Sequence, residues 1–374
     1  MSGSRLSTLL LVLPMWTAMA GAAGRTDPAL PGYCGITTWG GAKPSIEVQH
    51  GSADHHAERA YDQHTIQPIG SVSKTFVGLA LAQMVERGAL DLDAPVDPIL
   101  GWAVRNPRHP QQPITLRQLA THTSSILDHE DDYQRAYVPA TSAAPDLEDG
   151  GLEDFLRDYF LPQDRTLLQR RFGTSAPGLR YAYANIGAAL AALVIERRSG
   201  QPFADYVQAH ILTPLKMSDS GYPGFGTRPD PAQLATLYAH GKPLPAYRLL
   251  TYPDGGLRSS CHDLSRYAWA IVAAAQGDAS ALPAATVQRM LQPQWSKLPR
   301  GTPEALRNHG LFWEYKRSGA VGHSGGDPGL TALLSIDLSA KRARVLLTNT
   351  LIDDSAAART AFLEVWKRLD VADP

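Results

Sequence analysis

A chain of 374 residues, 44% hydrophobic and 19% charged, is long enough to bury one large core or two closely joined ones. Its formal net charge of −1 gives no electrostatic case for nucleic acid or an anionic membrane surface as partner. Glycine and proline are plentiful but dispersed, and no repeat or low-complexity run occurs, which indicates ordered loops rather than disorder.

The first twenty residues stand apart. Arg5 precedes an apolar run over residues 6–19, and Ala18-Met19-Ala20 supplies small residues at its end. A charged start, a short apolar middle and a small-residue end describe a secretory signal peptide. The run is shorter than the ~20 apolar residues a bilayer span requires. Residues 1–20 are therefore set aside from the fold, and residues 21–374 are expected as the exported part, periplasmic or secreted, with no stable membrane span after cleavage. An uncleaved anchor is the alternative. Export permits a disulfide between Cys34 and Cys261, the only two cysteines; two isolated buried thiols fit the sequence as well. No Cys-x-x-Cys pair suggests a metal.

In chain order, residues 35–49 read as strand, turn, strand, with the bend at Gly40-Gly41. Residues 76–87 form the strongest helical pattern, apolar around much of its circumference and followed by Gly88, which suits a helix C-terminus. Residues 90–98 read as a loop. Thr115 is a candidate N-cap for a short helix ending near Thr121. Residues 128–146 are polar and acidic and read as a surface loop. Helices are expected over 185–198, 203–212 and 263–275, with a break at 223–231. Strands are expected over 320–322, 330–337 and 344–349, the last two joined by a turn, and the chain closes with an amphipathic helix over 356–369 capped by Asp354 or Ser355. Strands thus sit at both ends and helices fill the middle. An α+β fold follows: one antiparallel sheet from the N- and C-terminal strands (about 30–70 and 305–374), flanked by helices, with a mostly helical part (about 75–300) inserted between. The cleft between the two is the expected place for a site.

Three short patterns carry the chemistry. Ser71-Val72-Ser73-Lys74 opens the strongest helix, and of eight lysines Lys74 alone has serine three residues before it. Positions i and i+3 share a helix face. A serine hydroxyl attacks a carbonyl only with a positioned proton acceptor, and a lysine serves when burial leaves it neutral. Tyr183-Ala184-Asn185 precedes another apolar helix, and no other tyrosine has asparagine two residues on. His323-Ser324-Gly325, before Gly326, occurs once, between candidate strands.

Taken in this order, the three patterns resemble the class C β-lactamase and DD-peptidase family of penicillin-recognising serine hydrolases, which includes esterases and D-amino-acid amidases. Further stretches at Leu119–Ser124, Pro177-Gly178, Pro214–Met217, Asp254–Ser259 and Gly322–Gly329 with the hairpin after it match as well, so the resemblance runs over about residues 35–370. It implies a β-lactamase-like, transpeptidase-like fold and an acyl-enzyme mechanism without cofactor or metal. Ser71 would be the nucleophile, Lys74 the holder of its proton, and Tyr183 a phenolate, favoured by Lys74, that acts as base and then protonates the leaving group. Asn185 would fix Lys74 and the substrate amide. Ser324, Gly325 and Gly326 would bind substrate, the N–H groups of Ser71 and Gly326 forming the oxyanion hole.

His323 stands where the family usually has lysine. With an ordinary pKa near ~6.5 it would be charged only part of the time at neutral pH, a weaker grip on a substrate carboxylate than lysine gives. The resemblance then implies a small amide or ester, such as a D-alanyl peptide from cell wall or a D-amino-acid amide, ahead of a β-lactam. A true β-lactamase, or a silent relative that binds penicillin or peptidoglycan, are the alternatives. Ser125 replaces a usual glycine, and a long loop over 125–174 would reshape the cleft. His122 is expected to hold a loop. Asp128, His129, Glu130, Asp131 and Asp132 are expected as a solvated acidic run rather than a metal site.

Overall fold

The computed structural model describes residues 29–40, 45–140, 151–225 and 230–370. The leader-like segment and part of the acidic loop lie outside these residues. Eight strands drawn from the two ends of the chain make the main sheet. They are β1 (Gly32–Trp39), β2 (Ile46–Asp54), β3 (Arg59–Ala60), β4 (Leu306–His309), β5 (Glu314–Lys316), β6 (Val321–Asp327), β7 (Leu330–Asp337) and β8 (Arg342–Thr348). Their spatial order is β4-β5-β6-β7-β8-β1-β2-β3, antiparallel throughout. The join between chain ends is β1 against β8, with Tyr33 opposite Thr348 and Ile36 opposite Val345.

Side chains alternate across a strand, so each of these two strands serves two cores. Val345 and Leu347 of β8 and Cys34 and Ile36 of β1 face the larger core. Leu346 and Tyr33 face the smaller one, filled by Phe362, Val365 and Trp366 of the closing helix, α7 (Ala356–Arg368). Ser355, not Asp354, caps that helix, its side chain accepting from Ala358 N–H. α7 packs so closely that a Cβ on Gly35 would stand 2.7 Å from a Leu369 methyl.

The larger core also takes in the helices of the middle. These include α1 (Lys74–Glu86), α2 (Leu116–Ala120), α3 (Gly151–Phe160), α4 (Asn185–Ser199), α5 (Cys261–Ala275) and α6 (Ala284–Leu291). α1 is buried from Lys74 to Met84, as its all-round apolar pattern requires. Its Gly78 permits close approach: a Cβ there would meet the Leu311 carbonyl oxygen at 2.0 Å. Thr115 caps α2 in a full capping box with Gln118.

Several expectations need correction. The segment 125–174 is not one long loop; it carries α3 and the short helices Glu130–Gln134 and Arg165–Arg170. The helix expected over 203–212 is one α-helical turn, Phe203–Val207, followed by a π-helical stretch, Gln208–Leu212. The strand expected over 320–322 runs on to Asp327, so His323-Ser324-Gly325 lies within β6 and not between strands. No helix among the described residues is long and apolar enough to cross a membrane.

Cys34 and Cys261 form a disulfide with Cα atoms 6.0 Å apart, tying β1 to the first residue of α5. Both are buried, 1% and 0% exposed. A bridge across 227 residues restricts the unfolded chain strongly. The Cys34→Ser/Cys261→Ser double variant is expected to lose about 2–5 kcal/mol of stability, seen as a lower urea midpoint. An unchanged midpoint would show that the bridge contributes nothing.

Candidate active site

Ser71 sits in a 3-10 turn, Gly70–Ser73, that leads directly into α1. Gly70 has φ +52°, a conformation that glycine adopts without strain. A Cβ there would also stand 3.2 Å from Gly326 N. On the facing strand β6, a Cβ on Gly325 would stand 2.1 Å from Ile69 O and 3.1 Å from Ser71 N. Only glycine at these positions lets the two backbones meet, which brings the N–H groups of Ser71 and Gly326 to neighbouring positions.

Lys74, one turn on from Ser71, is 0% exposed. Its Nζ has three oxygen contacts: Ser71 Oγ at 2.9 Å, Asn185 Oδ1 at 2.6 Å and the Asp254 carbonyl at 2.7 Å. Burial lowers the Lys74 pKa below its ordinary value, although Asp254, Asp128, Asp327 and Glu314 pull the other way. The Tyr183 ring lies beside it, with Nζ 5.1 Å from the ring centre. Burial pushes the Tyr183 phenol well above its ordinary pKa, and its hydrogen bond with the Ser71 side chain does not offset this. Burial thus favours the neutral phenol over the phenolate expected from the sequence.

Asn185 opens α4, and Asp128 holds it there. The Asp128 carboxylate accepts the Asn185 N–H at 2.7 Å and the Ile186 N–H at 3.1 Å. An acceptor at a helix N-terminus satisfies orphan donors and meets the positive end of the dipole. Burial raises its pKa to about 6. The acidic run is thus not all solvated: Asp128 points inward, and Asp132 pairs in bidentate fashion with buried Arg171, at 2.7 and 2.8 Å. Asp128→Ala should cost about 1–2 kcal/mol in stability and lower turnover by releasing Asn185. A variant with wild-type melting and turnover would contradict this placement.

His122 is 1% exposed and has φ +54°. Its Nδ1 accepts the Ala184 N–H at 3.2 Å, its carbonyl accepts the Ala182 N–H at 2.8 Å, and its ring lies 4.4 Å from that of Tyr183. It fixes the Tyr183 segment from behind, the loop-holding role expected. Tyr181, two residues before, turns away toward Trp295 and His309.

His323 is 3% exposed, its ring 6.1 Å from that of Tyr183. Burial lowers its pKa to about 4 despite the nearby Glu314 carboxylate. The expectation of partial charge at neutral pH is corrected: the ring is neutral. Nδ1 lies 2.7 Å from the Ser324 carbonyl and so carries the hydrogen, leaving Nε2 as a buried acceptor without a protein partner. Burial alone would raise Glu314, but Lys316 and His323 outweigh it and hold its carboxyl at about 2.

Tyr133 reaches the Lys74 neighbourhood, donating to Asp254 Oδ1 at 2.8 Å. Trp313 and Tyr159 are core residues, and Tyr315 donates to the Leu291 carbonyl. Asp254 and Asp327 lie within stretches that carry the family resemblance, 254–259 and 322–329, but nothing in the sequence assigns them a role, and Glu314 carries no sequence signal at all. Away from Ser71, donor atoms of His64, Asp219 and His262 come within 4.8 Å of one another. His64 Nδ1 already pairs with Asp219 at 2.9 Å, a contact that needs no ion.

The family model described as Beta-lactamase matches residues 30–365. The chain is 32% identical over 198 residues to esterase EstB of Burkholderia gladioli, covering 52% of this chain and 47% of the relative. It is 26% identical over 203 residues to the D-alanyl-D-alanine-carboxypeptidase/endopeptidase AmpH of Escherichia coli strain K12, covering 53% and 47%. The chain spans about half the length of these curated relatives. In fold it is similar to the D-amino acid amidase of Ochrobactrum anthropi SV3, with a TM-score of 0.68, 22% identity and coverage of 91% and 93%. With the family model matching nearly the whole described chain, this protein belongs to the Beta-lactamase family.

Proposed function

We propose that this protein is an exported serine hydrolase that acts through an acyl-enzyme on Ser71, with small amides or esters as substrates. The observation that carries the reading is the set of three contacts at Lys74 Nζ. A neutral amine has two N–H donors and one lone pair. Asn185 Oδ1 and the Asp254 carbonyl can only accept, so they take the two donors, and the lone pair faces the Ser71 hydroxyl. Lys74 is then the first base. The Ser71 proton passes to Nζ as Oγ bonds the substrate carbonyl carbon, and the Ser71 and Gly326 N–H groups receive the developing oxyanion. As the bond to the leaving group breaks, that proton returns through the Tyr183 hydroxyl to the leaving nitrogen or oxygen. Water then attacks the acyl-enzyme, gives a proton to the same relay and frees Ser71.

Neutral His323 supplies no cation for a substrate carboxylate. That favours amides and esters, D-amino-acid derivatives among them, over β-lactams. Export is supported by the leader-like residues 1–20 and by the buried disulfide, since such bridges persist in oxidising compartments. The test is a turnover screen over nitrophenyl esters, D-amino-acid amides, D-alanyl-D-alanine peptides and nitrocefin. Ester or D-amide hydrolysis above nitrocefin hydrolysis is expected. Nitrocefin turnover at ~10⁴ M⁻¹s⁻¹ or faster, with the others slower, would reverse the ranking.

A further inference from the structure

Asp327 ends β6 one residue after Gly326. Side chains two apart on a strand share a face, so His323, Gly325 and Asp327 present one side of β6, the side on which Gly325 abuts Ser71. A Cβ on Gly255 would stand 3.8 Å from the carbonyl carbon of Gly70 and 3.9 Å from Asp327 Oδ2, so this carboxylate borders the backbone leading into Ser71. At ~3.3 Å per residue, Asp327 lies roughly 13 Å along the strand from His323. Tyr183, the leaving-group donor in the proposed mechanism, is at the His323 end. Asp327 therefore faces the acyl half of a bound substrate.

Its surroundings are aromatic and anionic. Tyr137 donates its hydroxyl to Asp327 Oδ1, while the neighbouring Tyr247 hydroxyl donates to the Pro328 carbonyl at 3.1 Å. Tyr133, Tyr137 and Tyr247 form a continuous wall, with ring centres 5.9 and 5.5 Å apart. Behind it Asp254 is 0% exposed; Oδ1 accepts from Tyr133, while Oδ2 has no hydrogen-bond partner. Among the described residues, neither Asp254 nor Asp327 has an ion pair with lysine, arginine or histidine side chains. Lys74 meets the Asp254 backbone, not its carboxylate, and Arg258 reaches only the Tyr247 carbonyl, at 3.5 Å. Burial raises the Asp327 pKa to about 7, the mark of a carboxylate lacking a countercharge. A carboxylate with one phenol donor keeps acceptor capacity. An ammonium group completes both it and the tyrosine faces.

We propose that Asp327, walled by Tyr133, Tyr137 and Tyr247, binds a primary ammonium group on the acyl side, so that preferred substrates are amino-acid amides or esters with a free amine. This rests on the serine-hydrolase reading and narrows its substrate class. The test compares D-alanine 4-nitroanilide with its N-acetyl form, in wild type and Asp327→Asn. Wild type is expected to favour the free amine by ~10-fold or more in kcat/KM, the scale of a hydrogen bond to a charged group, and Asp327→Asn to bring the ratio near one. A second arm needs only wild type: benzylammonium should slow fluorophosphonate labelling of Ser71 more than benzyl alcohol does. A preference for the acetylated substrate, a ratio unchanged in Asp327→Asn, or labelling at Ser71 indifferent to benzylammonium overturns the subsite alone. Absence of any labelling at Ser71 overturns the hydrolase reading beneath it.

Discussion

Ser71→Ala is expected to abolish turnover of every substrate, by on the order of 10⁴-fold or more, while the protein stays folded. Two physical points support the size of the effect. Removing Oγ removes the atom that forms the covalent bond, and nothing else near the Ser71 and Gly326 N–H groups offers a nucleophile held against a buried amine. The loss also leaves Lys74 Nζ with one fewer oxygen contact, so the amine is less well satisfied but not stranded, since Asn185 and Asp254 remain. Melting should therefore move little, and steady-state kinetics with a nitrophenyl ester is the measurement. Residual turnover within tenfold of wild type would assign the chemistry elsewhere.

The second large effect separates Lys74 from Tyr183. Lys74→Ala removes the base, and both ester and amide turnover should fall together by ~10²–10⁴-fold. Tyr183→Phe keeps the ring that packs on His122 and removes only the hydroxyl. Amide hydrolysis, whose leaving nitrogen must be protonated, should fall more than hydrolysis of a nitrophenyl ester, whose leaving group departs as an anion. The pH profile gives the sign. A base works when deprotonated, so kcat/KM rises with pH through the lowered pKa of Lys74. That acid limb should persist in Tyr183→Phe and vanish in Lys74→Ala. His323, with its pKa at about 4, adds no limb near 6.5. A limb that survives in Lys74→Ala but disappears in Tyr183→Phe would make Tyr183 the base.

Much of this site was legible because each pattern occurs once: the lone Ser-x-x-Lys, the lone Tyr-x-Asn and the lone His-Ser-Gly. The structure brings their side chains into one cluster, and their order along the chain matches the sheet–helix–sheet path of the fold. The long apolar patterns of α1, α4, α5 and α7 were equally plain, because a buried face repeats over several turns. What escaped falls into two physical kinds. β4 and β5 span four and three residues, too few for alternation to register. Protonation states depend on depth, which sequence does not carry: Tyr183 and His323 both favour the neutral form because they are buried, not because of their sequence neighbours. Asp128 shows the same limit. In a run of five polar residues it looks solvated, and only the tertiary position of α4 turns it into a cap.

The central claim is that Ser71 is an activated nucleophile. Intact-protein mass spectrometry after incubation with a fluorophosphonate, followed by peptide mapping, tests it most directly. One phosphonyl adduct on Ser71 is predicted, forming faster as pH rises through the lowered pKa of Lys74 and absent in Ser71→Ala. A folded wild-type protein that stays unmodified, or carries the adduct on another residue, would contradict the account.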